Sequence, residues 1–255
     1  MSARPLIVVA GVGAGKGTGG STARLFAKEG YRVALIARGA DSLNALAAEI
    51  NQAGGEAAAF PIPEYSYKGV LVVFDSILSH TWPSPGATEL RVALWNASAG
   101  AFKNFLDVTE EDIQNSVNLN VVASFAFSRR AVLAFKENTL DANGARGTLL
   151  FTGATAAIRG NTWTSAFAAG KFGLRALSHS LAKEFGKENI HVAHAIIDGV
   201  LKRERHGSKP LEEGQEEANV RLNPDAIAKT YKHLVEQDRS SWSWEIDLRP
   251  AHEKW

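Results

Sequence analysis

Seven short apolar segments recur along this chain, and stretches of helical length and period lie between them. Each segment is a nearly continuous apolar run rather than a strict alternation, which is typical of a strand buried on both faces. Strands that alternate with helices predict a doubly wound α/β fold of three layers, with one parallel sheet of about seven strands. The segments are Leu6–Val12, Tyr31–Ala37, Glu56–Ile62, Leu90–Trp95, Gly147–Thr152, Ile190–Ile197 and Trp244–Leu248.

Helices are expected between these strands, and two of them carry clear start signals. Thr109 precedes a run of carboxylates, which is typical of an N-cap and a first helical turn. Asn223 precedes Pro224, and proline is favoured at the first helical position. The expected helices are Gly19–Glu29, Asp41–Ala53, Tyr67–His80, Thr109–Asn138, Thr164–Gly186 and Pro224–Gln237.

The composition limits the class of protein. A chain of 255 residues, 45% of them hydrophobic, is expected to form one domain over residues 1–255. Its formal net charge of +1 gives no electrostatic basis for binding nucleic acid or an anionic membrane. It has no cysteine, and its seven histidines lack metal-binding spacing, so no metal site is expected. The first apolar run is too short to span a membrane, and we expect a cytoplasmic protein with a small-molecule substrate.

A glycine-rich loop follows the first expected strand and precedes the first helix. The stretch Gly11–Gly20 contains six glycines in ten residues. Glycines allow a sharp turn and a close approach of the backbone to a pyrophosphate, which the helix N-terminus also attracts. A nucleotide-hydrolase loop would need Ser or Thr after Lys16, where Gly17 stands, and a glycine at Ala10. The loop therefore predicts a dinucleotide site, with a merely flexible loop as the alternative.

The end of the second strand distinguishes between the two nicotinamide cofactors. Arg38 stands there, about twenty residues beyond the loop, where an acidic residue would bind a ribose 2′-hydroxyl. A guanidinium group suits a 2′-phosphate, and Lys16 adds a second cation. These residues predict NADP(H), although Arg38 is also consistent with a solvated residue at a strand end.

These motifs and others downstream resemble the short-chain dehydrogenase/reductase family, over essentially the whole chain. The glycine pattern of the family falls on Val12–Gly19, and its asparagine motif after the fourth strand falls on Trp95–Ser98. The resemblance implies a Rossmann-type fold, and it implies that Lys171 binds the nicotinamide ribose and that Asn120 holds a water beside it. The cofactor-binding residues expected from the loop and the resemblance together are Gly13, Lys16, Gly17, Thr18, Gly19, Arg38, Asn96, Lys171, Gly199 and Val200.

Departures from the family pattern cluster where its chemistry is expected. The family tyrosine, four residues before the lysine, is Phe167 here, and phenylalanine has no proton to donate. The family serine is Ala154, although the hydroxyl of Thr155 lies one residue further on. The family Pro-Gly after the sixth strand is Asp198-Gly199. Phenylalanine with the lysine retained, and the ending Trp244–Pro250, resemble an atypical subgroup of the family.

Each candidate catalytic residue also has a simpler interpretation. Lys171 is consistent with a ribose ligand alone, and Asn120 with a hydrogen bond to the backbone of a neighbouring helix. Asp198 is consistent with a helix N-cap, and Thr155 with an ordinary hydroxyl at a strand end. The candidate catalytic residues are Lys171, Asn120, Thr155 and Asp198, and the expected substrate-pocket residues are Trp163 and Phe167.

Two classes of function follow from this pattern. The first is an NADPH-dependent reductase of a conjugated carbonyl, imine or ketone that works without the tyrosine, because hydride transfer is cofactor chemistry. The second is a non-redox cyclase or isomerase, or a cofactor-binding module, on the same scaffold. The resemblance also implies a homodimer or homotetramer. The charged stretch Leu201–Leu222 is expected to form a lid over the substrate, or else a solvated surface helix.

Overall fold

The structure of the protein is a computed structural model that describes residues 3–202 and 217–252. Its centre is a parallel sheet of seven strands in the order β3-β2-β1-β4-β5-β6-β7. All seven expected strands are confirmed. They are β1 Arg4–Ala10, β2 Arg32–Ala37, β3 Glu56–Pro61, β4 Thr88–Trp95, β5 Gly147–Thr152, β6 Ile190–Ile197 and β7 Glu245–Leu248.

Helices cover both faces of this sheet. They are α1 Thr18–Lys28, α2 Ala40–Gln52, α3 Tyr67–Leu78, α4 Glu110–Val117, α5 Ala123–Lys136, α6 Ser165–Phe185, α7 Glu217–Val220 and α8 Pro224–Val235. Both predicted caps are confirmed. The Thr109 hydroxyl accepts a hydrogen bond from the Asp112 amide in a capping box, and the Asn223 side chain accepts one from the Asp225 amide.

The predicted helix Thr109–Asn138 is present as α4 and α5, with an internal irregularity that the sequence pattern does not show. A π-helical turn at Asn118–Val122 separates α4 from α5. The side chain of Asn120 within this turn is buried and donates a hydrogen bond back to the carbonyl oxygen of Ser116. Polar groups that compete for helical carbonyls in this way widen the local turn, and π-turns often mark functional sites.

The sheet separates two apolar layers, because successive residues of a strand point to opposite faces. Leu6 and Val8 of β1 belong to one layer, and Ile7 and Val9 belong to the other. The first layer is closed by α3, α5 and α6, and the second by α1, α2 and α8. This two-sided burial explains the continuous apolar runs.

The order of the strands reverses direction beside β1. The chain passes from β1 to β2 and β3 on one side, and then crosses to β4 on the other side of β1. In open α/β sheets, ligands bind in the crevice that forms outside the carboxyl ends of the strands at such a point. The glycine loop leaves β1 at this end of the sheet.

The stretch predicted to be a lid lies mostly outside the described residues, which end at Lys202 and resume at 217. Its two ends are joined: the Leu222 amide donates to the Val200 carbonyl and the Lys202 amide donates to the Leu222 carbonyl, both at 2.8 Å. Val200, Lys202 and Leu222, the described ends of this stretch, therefore lie together after β6. Across the described ranges, no helix combines the length and apolar character that a membrane span requires.

Candidate functional site

Three glycines of the loop are required by close packing. A Cβ on Gly11, whose φ is +92°, would lie 2.3 Å from the amide nitrogen of Ala97. A Cβ on Gly19 would lie 2.8 Å from the Gly11 oxygen, and one on Gly20 would lie 2.0 Å from the oxygen of Gly15. These glycines bring the loop, the start of α1 and the end of β4 into direct backbone contact.

Two other glycines of the loop border open space. A Cβ on Gly13 or Gly17 would meet no atom within 4 Å. Thr18, the first residue of α1, is buried, and its hydroxyl oxygen has no hydrogen-bond partner among the described residues. Lys16 is exposed between them. An open backbone turn at a helix N-terminus, with a buried hydroxyl beside it, is the arrangement that binds phosphate groups.

Asn96 holds this loop in place from the neighbouring strand. Its side-chain nitrogen donates to the Gly11 carbonyl at 2.7 Å, and its amide donates to the carbonyl of Ala10 at 2.9 Å. The expected cofactor residue is therefore engaged with the loop itself. Trp95, which replaces the first family asparagine, is fully buried, and its ring packs edge-on against Tyr65 at a centroid distance of 5.6 Å.

A cleft of about 750 Å³ opens beside the loop, at the carboxyl ends of β2, β3 and β4. Arg38 is exposed on its rim at the end of β2. Tyr65 lines its base, donating to the Ile36 carbonyl at 3.0 Å, and burial raises the pKa of its phenol. Gly100 and Leu119 line the side towards the π-helical turn. The cleft thus extends from the end of β2 towards the middle of the sheet.

Lys171 projects from α6 into the protein interior. Its side chain is 2% exposed, and Nζ donates to the Thr152 carbonyl at 2.8 Å, its one hydrogen bond within the described part of the chain. Burial lowers the pKa of Lys171 to about 7. The ammonium has three donors, and this geometry engages one of them.

Phe167 occupies the position one helical turn before Lys171. Nζ of Lys171 lies 5.8 Å from the centre of the Phe167 ring. The other side of this half-buried ring packs on Gly100, where a Cβ would lie 2.4 Å from Cδ2, and on Phe102, at a centroid distance of 5.2 Å. The ring is therefore held between the loop after β4 and the buried lysine.

Trp163 lies at the outer rim of the site and is 62% exposed. Its backbone has φ of +67°, a left-handed conformation that is costly for a bulky residue. The indole nitrogen donates to Asn104 Oδ1 at 2.6 Å, and the carbonyl accepts from the Lys103 amide at 3.1 Å. These two bonds tie the loop after β5 to the loop after β4 and hold the strained conformation.

Asn120 is fully buried and its side chain is saturated. Nδ2 donates to the Ala99 carbonyl at 2.7 Å and to the Ser116 carbonyl at 2.9 Å, and Oδ1 accepts from the Ser98 hydroxyl at 3.1 Å. A Cβ on Gly170 of α6 would lie 2.8 Å from Nδ2. Asn120 therefore joins the π-helical turn to the loop after β4, under the close approach of α6.

Thr155 and Asp198 are brought together by the sheet. The Thr155 hydroxyl donates to Asp198 Oδ1, and the carboxylate is 1% exposed. Nη2 of Arg159 lies 3.4 Å from each carboxylate oxygen, and Nη2 of Arg249 lies 3.1 Å from Oδ2. All of these partners are donors, so Asp198 acts as an acceptor in this network. The following residues, Gly199 and Val200, continue along the same edge, and Val200 is exposed.

Several residues of the site were not singled out by sequence patterns. Tyr65 lies under the loop, Arg159 pairs with Asp198, and the buried His194 pairs with the partly buried Glu245 behind Lys171. A polar side chain inside a continuous apolar strand is the signal that would have identified His194. The partners of Asp198 come from distant segments, so local spacing carries no signal for them.

The sequence model of the short chain dehydrogenase family matches residues 7–210 of this chain. The chain therefore belongs to the short-chain dehydrogenase family. Among curated proteins it is similar to a 3-oxoacyl-[acyl-carrier-protein] reductase of Bos taurus, at 29% identity over 186 residues that cover 72% of each protein.

Solved structures agree with this assignment. A short-chain dehydrogenase from Rhodopseudomonas palustris is 30% identical, with a TM-score of 0.75 over 97% of this chain and 98% of that one. An alcohol dehydrogenase from Thermococcus sibiricus, solved with 5-hydroxy-NADP, has a TM-score of 0.80 over 99% of both chains. Its identity is 22%, so it shows the fold alone.

The two kinds of glycine in the loop should respond differently to substitution. We expect Gly20→Ala to lower the free energy of unfolding by about 1–3 kcal/mol, because its Cβ would overlap a backbone oxygen that cannot rotate away. Gly17→Ser is the matched control, since its Cβ enters open space and serine is a good N-cap. Urea unfolding of both variants is the measurement. Equal stability of the two would contradict this division of the loop.

Proposed function

We propose that this protein is an NADP(H)-dependent oxidoreductase that reduces a conjugated carbonyl, imine or ketone of a small molecule, in an atypical subgroup with phenylalanine in place of the family tyrosine. The observation that carries the proposal is Lys171, a buried ammonium with one hydrogen bond to the described protein, at the carboxyl edge where the glycine loop also opens. Burying an ammonium costs free energy unless a partner is provided, and ribose hydroxyls would be that partner.

The residues of the loop fit a dinucleotide. The open faces of Gly13 and Gly17 would admit a pyrophosphate, and the buried Thr18 hydroxyl would gain a hydrogen-bond partner from it. Lys171 would bind the nicotinamide ribose, and the bound cofactor would supply the hydride. The alcohol dehydrogenase from Thermococcus sibiricus, solved with 5-hydroxy-NADP, shows that a protein of this fold accommodates a cofactor of this class.

The preference for the phosphorylated cofactor is assigned to Arg38. It is exposed on the rim of the cleft at the end of β2, where the adenosine ribose would lie. Lys16, exposed in the loop, is proposed to add positive charge. A guanidinium group forms charge-assisted, often bidentate, bonds with a phosphate and gains much less from a hydroxyl.

Replacing Arg38 should therefore separate the two cofactors. We expect Arg38→Ala to weaken NADPH binding roughly 10- to 100-fold and NADH binding little, because a charge-assisted bond is worth about 1.5–3 kcal/mol. Lys28→Ala is the control. It also removes one positive charge, but at the C-terminal end of α1, away from the glycine loop. Titration of cofactor fluorescence measures both affinities. Equal affinity of the unmutated protein for NADPH and NADH would contradict the proposal.

Lys171 is the proposed proton donor in place of the phenol. The Thr155 hydroxyl already donates a hydrogen bond to Asp198, and both side-chain donors of Asn120 are engaged by the protein. Asp198 accepts from Thr155, Arg159 and Arg249, its side-chain partners among the described residues. Of the four candidate catalytic residues, Lys171 remains. Its pKa of about 7 suits a proton donor that works near neutral pH. A conjugated substrate spreads the negative charge of reduction and so needs less acid assistance than a simple ketone.

The substrate is proposed to have an apolar body. Phe102 and Phe167 form an aromatic wall over the buried lysine, and Trp163 lies at the rim. Phe105 and Leu106, which are 75% and 92% exposed, extend this apolar surface outward along the loop after β4. A concave site with apolar walls and few polar groups is typical of small-molecule recognition.

Turnover with defined substrates tests this function. We expect NADPH to be oxidised stoichiometrically with enones or cyclic imines, and we expect Lys171→Met to abolish this oxidation. Phe167→Tyr should add activity towards simple ketones, because the new hydroxyl lies one helical turn from Lys171. Phe185→Tyr, at the far end of the same helix, is the control that should add none. The measurement is absorbance at the reduced nicotinamide band together with product analysis.

The loss of the phenol also favours a second candidate, a cyclase or isomerase that uses the aromatic pocket to fix the conformation of its substrate. Phe167 would then act through the shape and dryness of the pocket. Product formation without cofactor, and no oxidation of NADPH by any substrate, would establish this candidate and contradict the reductase.

We also propose a homodimer or homotetramer. Exposed apolar side chains follow one another along α4, the π-helical turn and α5 and continue on α6, a surface that a second copy would bury. They are Ile113, Val122, Phe125, Leu133 and Phe172.

The oligomer should depend on the middle of this surface. We expect Phe125→Asp to reduce the mass measured by light scattering, because a carboxylate would be buried in the contact. Val72→Asp, at an exposed position of α3, is the control and should leave the mass unchanged. A mass near 27.4 kDa for the unmutated protein at micromolar concentration would contradict the proposal.

A further inference from the structure

A cluster of charged and titratable side chains lies behind Lys171, between α6 and the last two strands. Glu245 of β7 forms two hydrogen bonds of 2.7 Å with Arg175. Its Oε2 also lies 3.0 Å from Nε2 of His179 and 3.0 Å from Nδ1 of His194. Lys171, Arg175 and His179 are spaced four residues apart on α6, so they share one face of the helix.

The protonation of Glu245 determines the tautomer of His194. Burial opposes its charged form, but the hydrogen bonds from Arg175 and His179 prevail and lower the pKa of Glu245 to about 2. An ionised carboxylate only accepts hydrogen bonds. Nδ1 of His194 must therefore carry the proton, and Nε2 of the neutral ring presents a lone pair.

The lone pair on Nε2 is buried, and the charge of Lys171 acts on the ring that carries it. His194 is fully buried, and its Nε2 has no hydrogen-bond partner in the described ranges. A Cβ on Gly153 would lie 2.4 Å from Nε2, so the ring occupies the space that a side chain would take there. The Lys171 ammonium is bonded to the carbonyl of Thr152, which belongs to the same peptide unit as the Gly153 nitrogen. The peptide between Thr152 and Gly153 therefore has two neighbours. One is Nε2 of His194, an acceptor without a donor, and the other is the Lys171 ammonium, which has spare donors.

We propose that His194 is a positioning residue for Lys171, whose ammonium donates to Nε2 of His194 through one bridging water. The cluster then orients the ammonium and stabilises its charged form against burial. This inference rests on the role of Lys171 in the proposed function. It also explains why Gly153 has no side chain, since any Cβ would displace the ring.

Burial, together with the neighbouring charges, keeps the ring of His194 neutral. Burial lowers the pKa of His194 to about 4; Glu245 opposes this shift, and Lys171 and His179 add to it. The ring is therefore neutral over the range in which Lys171, with a pKa of about 7, titrates. The charged or titratable groups that face it are Glu245 from β7 and Lys171, Arg175 and His179 from α6.

The test is the pKa of Lys171, measured by the pH dependence of its ¹³Cε chemical shift and assigned by the loss of that signal in Lys171→Met. We expect His194→Phe to lower this pKa by about one unit, because an acceptor for the ammonium is lost. His194→Gln should restore most of the shift, since its side-chain oxygen can accept. Gly153→Ala should act like His194→Phe by displacing the ring.

His191→Phe is the matched control. His191 lies on the same strand and is also buried, but it faces the other side of the sheet, stacked on Trp242 at 4.9 Å. A purely structural cluster would change the unfolding temperature of the His194 variants and leave the Lys171 pKa at its original value, which would overturn the proposal. Where His194→Phe fails to fold, the imidazole ¹⁵N spectrum of the unmutated protein decides. A proton on Nε2 would overturn the proposal, and a bare Nε2 supports it.

Neither measurement depends on turnover. A protein that never oxidises NADPH would contradict the proposed reductase and leave the His194 result intact. An unchanged Lys171 pKa in a protein that does oxidise NADPH would remove the role of His194 and leave the reductase intact. The two proposals therefore fail separately.

Discussion

The backbone contact between the end of β1 and the end of β4 is the constraint on which the site depends. At Gly11 the chain turns away from β1 with φ of +92°. It passes so close to Ala97 that no side chain fits between the two residues. The Asn96 side chain then holds the Gly11 carbonyl at 2.7 Å. This contact places the open part of the glycine loop, the N-terminus of α1 and the cleft at one point of the sheet edge.

The buried lysine is the second organising feature of the site. An ammonium inside a protein is costly, and α6 places this one at the end of β5, where it donates to the Thr152 carbonyl. Phe167 cannot share that charge by a hydrogen bond, but its ring covers the ammonium on one side. The phenylalanine therefore places an apolar ring beside the buried ammonium.

The candidate residues named from sequence divide into two groups in the structure. Gly13 and Gly17 lie open at the loop, and Lys171 is buried with spare donors, as ligands of a cofactor would be. Asn120 and Asp198 are instead saturated by protein partners that hold loops and strands together. The glycine loop and the family resemblance named all five positions but could not separate these groups, because saturation depends on groups that come from distant segments.

The sequence by itself determined the seven strands, the starts of α4 and α8 and the position of the glycine loop. These features depend on local periodicity, capping and backbone freedom, which neighbouring residues encode. Only the tertiary structure decided the π-helical turn at Asn120, the joining of Thr155 to Asp198 and the pairing of His194 with Glu245. Each of these requires a partner far away in the chain, and the partner is supplied by strand order and helix packing rather than by any local pattern.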